Sequence, residues 1–214
     1  MDNIKGIIFD LDGVLLSTDK FHFLAWKKLA DRMGINFTEK DNERLRGVSR
    51  MESLEIVLSL SEKPLNLSED EKIALATEKN NDYRLYLNQL TPDDIAPEVR
   101  ETLKALREKG YKLAIGSSSK NTKFILQKTE LIDCFDAIAD GNDIVNSKPD
   151  PEVFLKAASF IELEPEACAV IEDAEAGLTA ANDGNFLAIG YASACYSPLA
   201  KINLTSFSML CDLF

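Results

Sequence analysis

The 214 residues include four cysteines, Cys134, Cys168, Cys195 and Cys211, with no CxxC spacing among them. Neither a zinc site nor a disulfide framework is indicated, and scattered thiols in apolar or terminal contexts fit the reduced state of a cytoplasmic protein. No run of about 18 apolar residues occurs, so no membrane span is expected. The first residues lack a basic region followed by an apolar one, so an exported protein is not expected either. Positive charge is also in short supply. Against 36 acidic side chains stand 24 basic ones, a net charge of -12, which argues against nucleic acid or an anionic membrane as partner. A small anionic substrate remains compatible, because nearby lysines, helix ends or a bound divalent cation set the field inside a pocket. Hydrophobic residues make up 45% of the chain, enough for one large domain, or one domain carrying an insertion, and too much for disorder.

The stretch Gly6-Ile7-Ile8-Phe9-Asp10-Leu11-Asp12-Gly13-Val14 organises the rest. Three apolar residues, two of them β-branched, predict a buried strand that runs into two aspartates and is turned by Gly13. Carboxylates this close repel unless a cation lies between them or one keeps its proton. An isolated DxD is better read as a solvated acidic turn; the downstream sequence decides.

Residues 18–90 read as purely helical. Thr18 to Met33 is amphipathic, Thr38 with Asp41 marks a second helix start, and two short helices break at Gly47-Val48-Ser49-Arg50. Ser68 to Glu71 forms a capping box that opens a helix running to about Leu90. The proline-punctuated stretch from Leu90 to Pro97 then changes the grammar. A helix to Gly110, strand 111–115, helix 120–129, strand 135–139, helix 151–162, strand 168–172, helix 175–183 and strand 186–190 follow. Lys201 to Leu204 is a candidate edge strand, and the remainder of residues 193–214 is ambiguous. Strict alternation predicts an α/β, doubly wound, Rossmann-like parallel sheet with helices on both faces. The expected domains are a core of residues 1–17 and 91–214 and an inserted all-helical cap of residues 18–90.

Each core strand ends in a polar cluster: Gly116-Ser117-Ser118-Ser119-Lys120-Asn121, then Asn146-Ser147-Lys148-Pro149-Asp150-Pro151, then Glu172-Asp173. Singly, these are helix caps or a solvated lysine as readily as ligands; Asp173 alone reads as an N-cap. Together they place two acidic pairs, a hydroxyl and a lysine on one sheet edge. Hard carboxylate oxygens suit Mg²⁺, and the lysine and hydroxyl suit phosphoryl oxygens. The combination points to phosphoryl transfer.

Asp10-Leu-Asp12-Gly-Val, Ser117, Lys148-Pro-Asp-Pro and Glu172-Asp173 resemble the haloacid dehalogenase superfamily with an α-helical cap. Within it, Phe21-His22 with Ala25-Trp26, Gly47-Val48-Ser49-Arg50, Lys79-Asn80 with Tyr83, Ser117 to Asn121 and Phe135 to Ile138 resemble the β-phosphoglucomutase branch. The resemblance implies interconversion of β-glucose 1-phosphate and glucose 6-phosphate through the 1,6-bisphosphate. Asp10 would be the nucleophile, Asp12 the general acid and base, and Ser117 and Lys148 the holders of the transferring phosphoryl group. Mg²⁺ would lie between the Asp10 carboxylate, the Asp12 backbone carbonyl and Asp173, with Glu172 a direct or water-mediated ligand. Arg50, Ser119, Lys120 and Asn121 match a second phosphate site, His22 and Lys79 match coupling positions, and Thr18, Trp26, Leu45, Gly47, Val48 and Ser49 complete the implied substrate contacts. Trp26 and Leu45 fit cap core equally, and Arg50 and His22 have bland alternatives as a helix-start residue and a packed helix residue. The alternatives are a phosphatase acting on a small sugar phosphate and, more remotely, a phospho-accepting signalling domain or a silent phosphate-binding protein. A monomer is expected.

Overall fold

A computed structural model describes residues 3–45 and 48–214, and the chain forms two compact units, Met1–Ser17 with Leu90–Phe214, and Thr18–Gln89. The first unit is built on β1 (Gly6–Phe9), whose four residues are all buried. The other strands are β2 (Lys112–Gly116), β3 (Ala137–Ala139), β4 (Cys168–Glu172), β5 (Leu187–Tyr191) and β6 (Ile202–Leu204). They form one six-stranded parallel sheet in the order β3-β2-β1-β4-β5-β6. The strand order reverses at β1, which has β2 on one side and β4 on the other; an open sheet binds its ligands at such a point, beyond the carboxyl ends of the strands.

Side chains alternate across the sheet, and its two faces have different partners. Ile8, Ala114, Val170 and Ala188 pack with two helices, Glu152–Phe160 and Glu175–Asp183, through Phe154, Ala157, Leu178 and Ala181. Phe9, one residue on, points the other way and meets the rings of Phe135 and Phe207 at centroid distances of 6.1 and 5.8 Å. The ladder outlasts the strands by one residue: Asp10 N donates to Ile171 O and Ser117 N to Ala139 O. Both candidate side chains are therefore fixed by the sheet rather than by a loop.

The second unit holds helices Asp19–Arg32, Glu39–Glu43, Arg50–Ser59 and Glu69–Leu87 around Trp26, Leu29, Phe37, Leu45, Leu54 and Val57. Thr38 with Asp41 and Ser68 with Glu71 make the expected reciprocal caps, and Ser49 with Glu52 makes a third. Several boundaries in the first unit differ from expectation by one or two residues, as where strand 135–139 spans Ala137–Ala139. The helix placed at 120–129 spans Thr122–Lys128, because Ser119 Oγ accepts from Asn121 N and Ser119 O accepts from Thr122 Oγ1, which keeps residues 119–121 in a turn. The helix after β4 has Ala174, not Asp173, at its N-cap position, so the Asp173 carboxylate is not used as a cap.

Candidate active site

At the carboxyl edge of the sheet, Lys148 Nζ lies 2.6 Å from Asp10 Oδ1 and 2.6 Å from Glu172 Oε1. All three side chains are buried, and the ammonium also lies 4.5 Å over the Phe154 ring. Burial opposes the lysine's charge, but Asp10 and Glu172 outweigh it and raise Lys148 above the ordinary lysine value. Asp10 shows the opposite balance: burial, with repulsion from Glu172 and Asp173, lifts it to about 8 although Lys148 pulls it down. Asp173 is raised to about 7, first by burial and then by Glu172 and Asp12. Fully ionised, the cluster would carry more negative charge than one lysine can balance, and without a cation it takes up protons instead.

Glu172 is held at both oxygens. Its Oε1 takes Lys148 and its Oε2 accepts from Ala174 N at 2.9 Å, so it orients the lysine while each oxygen keeps a second lone pair. Space for it comes from Gly177, where a Cβ would stand 1.9 Å from Oε1. Gly13 serves Asp173 in the same way. At φ +91 it turns the chain after Asp12, and a Cβ there would stand 2.1 Å from Asp173 Oδ2. The second acidic pair is thereby pressed against the first.

Ser117 is buried at the end of β2, and its Oγ accepts from Ser119 N at 3.2 Å. Asn121 is buried and Lys120 exposed. This turn is braced by a segment that the sequence did not single out: Gly141 N donates to Ser119 O, Asn142 Nδ2 to Lys120 O, and fully buried Asp140 accepts from Asn142 through Oδ1.

In the helical unit, Lys79 is buried with its Nζ 2.9 Å from His22 Nδ1 and over the rings of Trp26 and Tyr83, at 4.6 and 4.8 Å from their centroids. The His22 and Tyr83 rings stack at 4.0 Å, and Tyr83 Oη bonds buried Thr18 Oγ1 at 2.7 Å. Trp26 and Leu45 sit in the apolar core of the unit, Trp26 also as the floor under Lys79. Ser49 caps the helix that Arg50 begins; Arg50 is half-buried and donates from Nη2 to Asn80 Oδ1 at 2.9 Å. Val48 is exposed, and Gly47 lies outside the described residues.

An ammonium only donates, so His22 Nδ1 accepts and the ring carries its proton on Nε2. Burial, then Lys79 and Arg50, keep His22 neutral far below its ordinary pKa. The unfolded chain binds a proton at His22 below about pH 6.5 and the folded chain does not, so acidification costs stability, about 1.4 kcal/mol per pH unit. The advantage of wild type over His22→Gln in melting temperature is therefore expected to shrink between pH 7.5 and 5. Parallel melting curves would check this, and an advantage independent of pH contradicts it.

Fold and site together define a phosphoryl-transfer protein of the haloacid dehalogenase type. The model of the haloacid dehalogenase-like hydrolase family matches residues 4–185, and the chain belongs to that family. It is 42% identical to β-phosphoglucomutase of Bacillus subtilis, over 87% of this chain and 83% of that protein. It is 32% identical to a phosphorylated carbohydrates phosphatase of Thermotoga maritima, over 83% and 80% of the two chains. The crystal structure of β-phosphoglucomutase from Clostridium difficile matches with a TM-score of 0.90 at 39% identity, covering 97% of this chain and 93% of that one.

Proposed function

We propose that the protein is a cytoplasmic, monomeric, Mg²⁺-dependent mutase that interconverts β-glucose 1-phosphate and glucose 6-phosphate through an aspartyl phosphate and the 1,6-bisphosphate. The observation that carries the chemistry is the buried contact of Asp10 with Lys148 at the edge of β1. Lys148 grips Oδ1, which orients Oδ2 as the attacking oxygen, and its charge is in place to offset that of the phosphoryl oxygens in the transition state. Ser117, fixed by the β2–β3 ladder, supplies a hydroxyl to the same phosphoryl group. Asp12, two residues after the nucleophile, takes the proton of the attacking sugar hydroxyl and returns one to the departing oxygen. Arg50, Ser119, Lys120 and Asn121 keep the assignment that the resemblance implies, to the second phosphate, which a guanidinium engages in a planar fork. Similarity to a β-phosphoglucomutase along most of the chain supports a sugar hydroxyl, rather than water, as acceptor.

The residues fit a divalent cation. Among the described residues no three carboxylate, imidazole or thiol groups gather as a metal cage; Mg²⁺ needs fewer, because it keeps several waters and uses one or two carboxylates. Asp10, Asp173 and the Asp12 carbonyl would hold it, with Glu172 as a direct or water-mediated ligand. The bound ion neutralises charge on the phosphoryl oxygens.

Without metal, Asp10 and Asp173 hold protons up to about pH 8 and 7, whereas an unfolded aspartate releases its proton near 4. The folded state then binds more protons over that window, and stability falls as pH rises through it. Mg²⁺ requires the ionised carboxylates, so the rise in melting temperature that it gives is expected to be larger at pH 8 than at pH 6. Thermal melts with and without Mg²⁺ test this; an equal rise at both values contradicts it.

The functional test supplies β-glucose 1-phosphate, Mg²⁺ and a trace of the bisphosphate, and follows glucose 6-phosphate and free phosphate together. Glucose 6-phosphate without matching phosphate supports the mutase; phosphate with little glucose 6-phosphate makes the protein a sugar-phosphate phosphatase. In the mutase, Arg50→Ala is expected to cut turnover at least about tenfold while aspartyl phosphate still forms.

A further inference from the structure

The turn that follows β5 lies beyond the residues matched by the family, and no motif singles it out. It nevertheless reaches the acidic edge of the sheet. Ser193 donates from Oγ to the Asp173 backbone carbonyl at 2.8 Å and lies 3.4 Å from Asp173 Oδ2. Among the described residues it is the only side-chain hydroxyl within hydrogen-bond reach of the Asp173 carboxylate, and its single proton serves the carbonyl or the carboxylate in turn. The neighbours offer no substitute: Glu172 is taken up by Lys148 and Ala174 N, and Ala174 has only a methyl group.

The backbone holds Ser193 in place at some strain. Ala192 has φ +46, in the left-handed region that a residue with a Cβ rarely adopts. The turn closes with Cys195 N donating to Ala192 O, and Ala194 and Cys195 are buried beneath it. An exposed serine is thus set between a strained residue and an apolar anchor, and its hydroxyl falls on Asp173. Strain of this kind persists where the surrounding structure over-determines it, often beside a working site.

We propose that Ser193 is a positioning residue for a divalent cation: through the Asp173 carbonyl and carboxylate it fixes the orientation in which Asp173 meets the ion. The proposal rests on Asp173 being a Mg²⁺ ligand. The contact deletes cleanly, since Ser193→Ala removes one exposed hydroxyl and nothing from the core.

The test is calorimetric titration of Mg²⁺ into the full chain without substrate, for wild type, Ser193→Ala and Ser193→Thr, with metal-free melting temperatures beside it. Ser193→Ala is expected to weaken Mg²⁺ about tenfold, in the range found for groups that orient metal ligands. Ser193→Thr is expected to restore binding, and all three proteins should melt together without metal. Unchanged affinity in Ser193→Ala, with or without a lower melting temperature, overturns the role of Ser193 while leaving the metal reading intact. Absence of Mg²⁺ binding in wild type overturns both.

Discussion

Lys148→Met is expected to lower the melting temperature by about 10 °C at pH 8, and to cut turnover by about a thousandfold or more. Methionine keeps most of the volume beside the Phe154 ring, so the loss isolates the charge. Removing one partner of a buried ion pair costs about 3–5 kcal/mol, because the other charge stays buried without compensation. Here two carboxylates are left: Asp10 and Glu172 both bond the same ammonium. Asp10, already lifted to about 8 by burial, can take up a proton when the ammonium is gone, which softens the loss and leaves Glu172 as the carboxylate without its partner. Melting curves at pH 8 read the cost directly. A variant that melts within about 2 °C of wild type at pH 8 would show that the triad does not hold the site together.

Asp10→Asn should behave in the opposite way with respect to stability. Above about pH 8 the amide removes a charge that repels Glu172 and Asp173, and Lys148 keeps its bond to Glu172, so the metal-free variant is expected to melt there at or above the wild-type temperature. It should gain little from Mg²⁺. Turnover should fall by about 10⁴-fold or more, as when an enzyme loses its nucleophile, and no acid-stable phosphoenzyme should form. Turnover above about one hundredth of wild type would remove Asp10 from the nucleophile's role. Loss of activity combined with retained or raised stability separates a chemical role from a structural one, which Lys148→Met alone cannot do.

Much of this was legible because local pattern and global fold agree. The apolar run of β1, the alternation after Pro97 and the recurrence of polar residues at strand ends fix the sheet and its working edge. The helix Glu175–Asp183 has the limits that periodicity gives it. What escaped was set by partners distant in sequence. That Glu172 is committed to Lys148 and Ala174 N depends on where the chain returns after β3, and spacing carries no trace of it. The delayed helix start at Thr122 came from hydrogen bonds within residues 119–122, a turn that competes with helix and that the serines there could have suggested. Ser193 had no signal of its own, since a lone serine after a strand is ordinary and only the left-handed Ala192 turns it towards Asp173.

The place of β1 also has a consequence for synthesis. Gly6 pairs with Lys112 on one side and Cys168 on the other, so the first strand made waits for partners more than a hundred residues downstream. Contacts so far apart close slowly, whereas residues 18–89 form helices from neighbours in sequence and can fold while the ribosome is still working. The helical unit is therefore the natural first folder. Until β4 emerges, Asp10 rides on an unpaired apolar strand edge, so a chain stalled before residue 168 would be prone to aggregate, whereas once β4 is made the sheet closes around that strand.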